Sequence, residues 1–92
     1  MKIDFENFPV RQGIGKEAIP MDVRRVFAEE IYNRGQGLAF HALALKIYNS
    51  SGEQEYSGEE YRLMVMFSEQ CMTPAFIDSL RAIGETAAPK EG

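Results

Sequence analysis

Tryptophan is absent from this chain, histidine and cysteine occur once each, and basic residues are outnumbered, 10 against 14 acidic. A single cysteine, Cys71, cannot close an intrachain disulfide, whereas secreted domains of this size usually need several such staples. The formal net charge of −4 opposes binding to a phosphate backbone unless the basic residues gather on one face. The longest uncharged apolar segment, Leu38 to Leu45, falls far short of the roughly 20 residues that span a bilayer. Near the amino end, Asp4 and Glu6 interrupt the apolar residues, so the continuous stretch of a secretory signal is missing. Together these scarcities predict a cytoplasmic protein that does not enter a membrane.

What is present matches ordinary globular usage: 45% of the 92 residues are apolar and 26% are charged, which argues against a disordered chain. A chain this short buries only about 60–65% of the surface its unfolded form exposes, enough for one modest core. The expectation is a single helical domain over residues 1–84 with an N-terminal arm over 1–20, followed by a mobile tail over 85–92 that has too little apolar content to dock.

In the arm, Ile3 and Phe5 alternate with Asp4 and Glu6, the period of a half-buried strand, and Phe8-Pro9 ends it. Gly13-Ile14-Gly15 reads as a turn, and Glu17-Ala18-Ile19 as a second extended piece stopped by Pro20, giving a short β-hairpin or extended arm. Asp22 can cap a first helix whose Val23, Val26, Phe27 and Ile31 share a face. Arg34 suits its carboxyl end, and Gly35 supplies the left-handed conformation that commonly ends a helix. Between Leu38 and Tyr48 the apolar residues cover most of the circumference, as in a central helix enclosed by others. Asn49-Ser50-Ser51-Gly52 is a turn cluster, and Glu53-Gln54-Glu55-Tyr56 a polar connector or short extended piece.

Ser57, three residues before Glu60, has capping-box spacing and opens a third helix whose Tyr61, Met64, Val65, Phe67, Cys71 and Met72 face the core. Thr73-Pro74 starts a fourth, with Phe76, Ile77, Leu80 and Ile83 on its apolar face and Gly84 at its end. The fold class is therefore mainly α: a small four-helix domain with an N-terminal hairpin or arm, its neighbouring helices antiparallel across short connections.

No constellation of residues reaches the standard of a reactive site. His41 lies among apolar neighbours without a nucleophile or carboxylate to orient it. Position 45, where a helical metal partner would stand, is Leu. Cys71 has apolar neighbours and reads as a small buried hydrophobe. Gly13-Ile14-Gly15-Lys16 lacks the spacing of a phosphate loop, and Lys16 is followed by Glu17 where Ser or Thr is needed. Glu29-Glu30, Glu53, Glu55 and Glu59-Glu60 lack the regular spacing of a calcium loop and read as a solvated acidic surface. We therefore assign no catalytic, cofactor-binding or metal-ligating residue, and expect a non-enzymatic protein without a cofactor. Met21, Met64, Met66 and Met72 are core filler unless some face outward, where thioethers make an adaptable docking surface. Helix three carries apolar side chains on more than one face, which leaves a strip for a partner or for another copy of the chain.

The run Ala42-Leu43-Ala44-Leu45-Lys46-Ile47-Tyr48-Asn49, a glycine-containing turn, and then Glu55-Tyr56-Ser57-Gly58-Glu59-Glu60 opening a helix resemble small phage and prophage proteins of the tail assembly chaperone type. The start, Lys2-Ile3-Asp4-Phe5, is also similar, whereas the segment from Pro9 to Arg25 departs from the pattern. The resemblance implies a helical, non-enzymatic protein that keeps the long tape-measure protein soluble while the tail tube is built. A small acidic protein with an apolar groove is physically suited to cover the apolar faces of a long helical chain. The alternative is a small DNA-binding regulator, since helix one, Gly35-Gln36-Gly37 and helix two have the outline of a helix-turn-helix with Arg24, Arg25 and Arg34 nearby. Against it, helix two offers only His41 and Lys46 to base edges.

Overall fold

Local chemistry at Ser57 sets one of the firmest boundaries in the molecule. Its hydroxyl accepts from the Glu60 N–H at 3.0 Å, while its own N–H donates to the Glu60 carboxylate at 2.8 Å. This reciprocal cap opens helix α3, Gly58–Cys71, as the spacing predicts. The Thr73 hydroxyl likewise accepts from the Phe76 N–H at 3.2 Å and opens α4, Pro74–Ala87. The computed structural model describes residues 1–87 apart from Gln12 and the side chains of residues 86 and 87.

With α1, Arg24–Arg34, and α2, Leu38–Tyr48, four helices dominate, so the fold is mainly α. Four short strands join them: β1 Lys2–Asp4, β2 Phe8–Arg11, β3 Ala18–Met21 and β4 Glu53–Glu55. The expected hairpin exists with different strands. Ile3 pairs with Gln54 in an antiparallel β1–β4 ribbon, and the hairpin proper is β2 with β3. Pro9 and Pro20, expected to end strands, instead face each other within the hairpin. Neither can donate, so they occupy a non-hydrogen-bonded pair and turn toward the outer edges, where a missing N–H blunts further strand addition.

The core is an aromatic cluster to which the arm and all four helices contribute. The Phe27 ring, from α1, lies 5.5 Å from Phe5 in the arm, 6.3 Å from Phe67 in α3 and 4.7 Å from Phe76 in α4. Phe8 stacks on Phe76 at 4.9 Å, which fixes the hairpin's base to α4. Tyr56 is fully buried edge-on to Phe5, and burial pushes its hydroxyl pKa up to about 12 despite the facing Ser50. Arg24 ties the arm to the α2–β4 turn: it donates to the Ser50 carbonyl and pairs with Asp22 and Glu6, and the Glu6 carboxylate in turn accepts from the Gly52 N–H.

Several expectations need correction. Val26 lies on the solvent side of α1, because Val23, Phe27, Ala28 and Ile31 already fill the core-facing arc. Gly35 is not left-handed: its φ is −72°, and the positive φ belongs to Gly37 at 98°. Gly35 is instead a point of close approach, where an added Cβ would lie 2.7 Å from the Ile31 carbonyl oxygen and 2.8 Å from the Phe40 Cβ. Gly84 does not end α4, which continues to Ala87. The Tyr61 ring fills the space a side chain there would need, and its hydroxyl donates to the Leu80 carbonyl at 2.9 Å. The helix thus runs past residue 84, and residues 88–92 of the expected tail lie outside the described residues.

Glu60 links this architecture to pH. Burial opposes its charge, but hydrogen bonds from the Ser57 N–H and the Lys46 ammonium outweigh that and hold its pKa below the usual carboxylate value. A depressed folded-state pKa contributes stability that is complete above the ordinary value and is lost as pH falls through the folded one. Urea titrations from pH 7 to pH 3 should therefore show an acid-side loss of stability that is smaller in Glu60→Gln; an identical loss in that variant would remove Glu60 as a source.

Candidate functional site

α2 is apolar nearly all round, and its main neighbour is α1. One arc, Leu43, Ala44 and Ile47, is buried, with Phe40 half-buried beside it. The enclosed central helix expected from the sequence is therefore a peripheral helix covered on one side. Its outer side carries Leu38 at 85% exposure, Leu45 at 45% and Tyr48 at 51%, with His41 between them. The spacing 38, 41, 45, 48 is three, four, three, so these residues form a seam along one helical face.

The seam forms one wall of a groove of about 200 Å3, in which Leu45, Tyr48 and Ala44 face Ala28, Glu29 and Tyr32 of α1. Tyr32 is itself 58% exposed, and its ring lies 5.5 Å from that of His41. Glu29 is the charged residue of the groove's lining and pairs with Arg25 at 3.3 Å, and an adjoining cleft at Tyr48 holds Arg25 with Asp22 and Arg24. A surface of this kind can exclude water against another apolar helix.

The residues weighed from the sequence are scattered. Cys71 is half-buried at the end of α3 in a separate cleft with Phe40, Phe67 and Arg34, to which His41 does not contribute. Gly13-Ile14-Gly15-Lys16 is a hairpin turn closed by a hydrogen bond from the Lys16 N–H to the Gly13 carbonyl at 3.1 Å, with Ile14 fully exposed at the tip. The acidic residues are partners in dispersed ion pairs: Glu30 with Arg34, Glu55 with the Met1 amino group, Glu59 with Arg62, Glu60 with Lys46, and Glu69 with Arg81. Of the methionines, Met64 is buried, Met72 half-buried, and Met21 and Met66 exposed. On α3 the exposed large apolar residue is Met66, at 43%, whereas α2 exposes Leu38, Leu45 and Tyr48.

Sequence reading missed Tyr32 and the outward role of Leu38, Leu45 and Tyr48. The three-four-three spacing was available as a signal, but on an all-apolar helix it competes with the buried arc for the same assignment. Among the described residues, no helix is long and apolar enough to cross a membrane. No family model, curated protein or solved structure matches the chain.

Proposed function

We propose that this chain is a non-enzymatic protein-interaction factor of prophage tail assembly, a four-helix domain with an N-terminal arm that covers apolar helical faces of a tape-measure protein in the cytoplasm. The observation that carries the reading is the uncharged seam Leu38-His41-Leu45-Tyr48 with Tyr32 beside it. Two of its residues, Leu45 and Tyr48, fall within the stretch, Ala42 to Asn49, that resembles the tail assembly chaperones. A helix laid in this groove would contact two helices at once, the arrangement of helix-in-groove recognition. The acidic remainder of the surface would keep the complex dispersed.

The DNA-binding alternative gains nothing from the basic residues. Arg24 is held by Asp22 and Glu6, Arg25 by Glu29, Arg34 by Glu30 and Lys46 by Glu60. The exposed side of α2 offers apolar groups where base edges require donors and acceptors.

Co-expression with the tape-measure protein encoded in the same genome tests the proposal. The expected result is that the tape-measure protein stays in the soluble fraction and co-purifies with the wild-type chain, and that both effects are lost with Leu45→Glu. A tape-measure protein that remains insoluble beside the wild-type chain, or is rescued equally by Leu45→Glu, overturns it.

A further inference from the structure

The outward seam of α2 has properties that suit it to its own image. It is about 15 Å long, from about ten rises of 1.5 Å between Leu38 and Tyr48, so a second α2 laid antiparallel matches its length. Its side chains are apolar and uncharged, apart from the imidazole of His41. Glu29, which lines the groove, is paired with Arg25, and beside Tyr48 Asp22 is paired with Arg24, so the charges next to the seam are already matched within each copy. Each copy carries a net charge of −4, and Glu53, Glu55 and Glu59 stand on β4 and the start of α3 and do not line the groove.

Area decides whether such a contact is worth considering. Leu38, Tyr32, Tyr48 and Leu45 keep half or more of their surface, or close to it, in water. Since an aromatic side chain alone offers roughly 150–250 Å2, the four expose on the order of 500 Å2 per copy. That is at the upper end of the patches a monomer usually tolerates, and two copies would together remove about 1,000 Å2, the lower bound for a specific interface.

We propose that the chain forms a two-fold dimer through α2, the two helices antiparallel, with Leu38 of each copy toward Tyr48 of the other and His41 toward Leu45. Residues on the same face of both partners make this an isologous, closed contact that stops at two copies. Weak, transient encounters sit at the lower end of interface size, so the dimer is expected to exchange readily with monomer. It covers the same groove proposed for the tape-measure helix, and self-association therefore caps the docking surface until that partner displaces the second copy.

Sedimentation equilibrium of the full chain alone, from micromolar to millimolar concentration, tests this. The mass should rise from one toward two chains and not beyond. Leu38→Glu and Leu45→Glu should each hold it at one chain, while Val26→Glu, at an exposed position off the seam, should leave the rise unchanged. Leu38 is the most exposed residue of the seam, so its substitution reports on the contact even where the change at Leu45 disturbs folding. A chain that stays monomeric throughout, or a dimer that persists in Leu38→Glu, overturns the proposal. A monomer that still holds the tape-measure protein soluble would sink this inference alone, and a seam dimer without tape-measure binding would sink the proposed function alone.

Discussion

Phe27→Ala is expected to cost about 3–5 kcal/mol, the range for removing a large side chain from a well-packed core. The expectation rests on what the ring joins: the arm through Phe5, α3 through Phe67 and α4 through Phe76, all within 6.3 Å between centroids. No nearby element is free to collapse into the space, because each is held by its own contacts with the others. Against a total stability of about 5–15 kcal/mol for a small domain, the loss removes a large part of the margin. Urea denaturation followed by circular dichroism should show the midpoint falling by roughly 2 M with the slope unchanged. A fall of less than about 0.5 M at the same slope would mean that Phe27 is not the junction of the core.

The second large effect is expected at the α1–α2 connection, where two glycines are needed for different reasons. At Gly35 the backbone is ordinary, but a methyl group would meet the Ile31 carbonyl oxygen at 2.7 Å and the Phe40 Cβ at 2.8 Å. Neither is the free end of a flexible chain. Gly35→Ala must therefore move α2 against α1, at about 1–3 kcal/mol. At Gly37 nothing lies within 4 Å of an added Cβ, but φ 98° with ψ 166° is a region almost confined to glycine, so Gly37→Ala strains the backbone by about 1–3 kcal/mol. Thermal denaturation separates the two causes. A D-alanine introduced by chemical synthesis should be tolerated at position 37, whose conformation is the mirror image of an ordinary extended one, whereas L-alanine is not. Equal loss with either enantiomer there would contradict the strain argument.

Those glycines show why some of the fold was legible and some was not. The starts of α3 and α4 were readable, because a capping box or a Thr-Pro pair acts within three or four residues and needs no knowledge of the rest; α1, expected to be capped by Asp22, has Val23 at the cap position, which supplies no side-chain cap. At Gly35 the helix end was read correctly but for the wrong conformation, and at Gly84 the end was misread, since a glycine required by a neighbouring side chain looks the same in sequence as one required by its own φ. The Ile3–Phe5 alternation announced a strand, but its partner, Glu53–Glu55, is 50 residues away and polar, so nothing local could name it. For α2, side chains that are apolar on every side record no preference for which arc is covered. The candidate surface was hidden for the same reason: Leu45 is as apolar as Leu43, and only the arrangement of the other helices leaves one in water and the other in the core.

The account turns on the outer face of α2 being a docking surface. Backbone amide spectra of the labelled chain, recorded while an apolar helical peptide from a tape-measure protein is added, read this residue by residue. The largest changes should fall on Tyr32, Leu38, His41, Leu45 and Tyr48, with the hairpin and α4 unmoved. Saturable changes confined to Ile14, Ile19 and Met21 on the hairpin, or none at all, would contradict it.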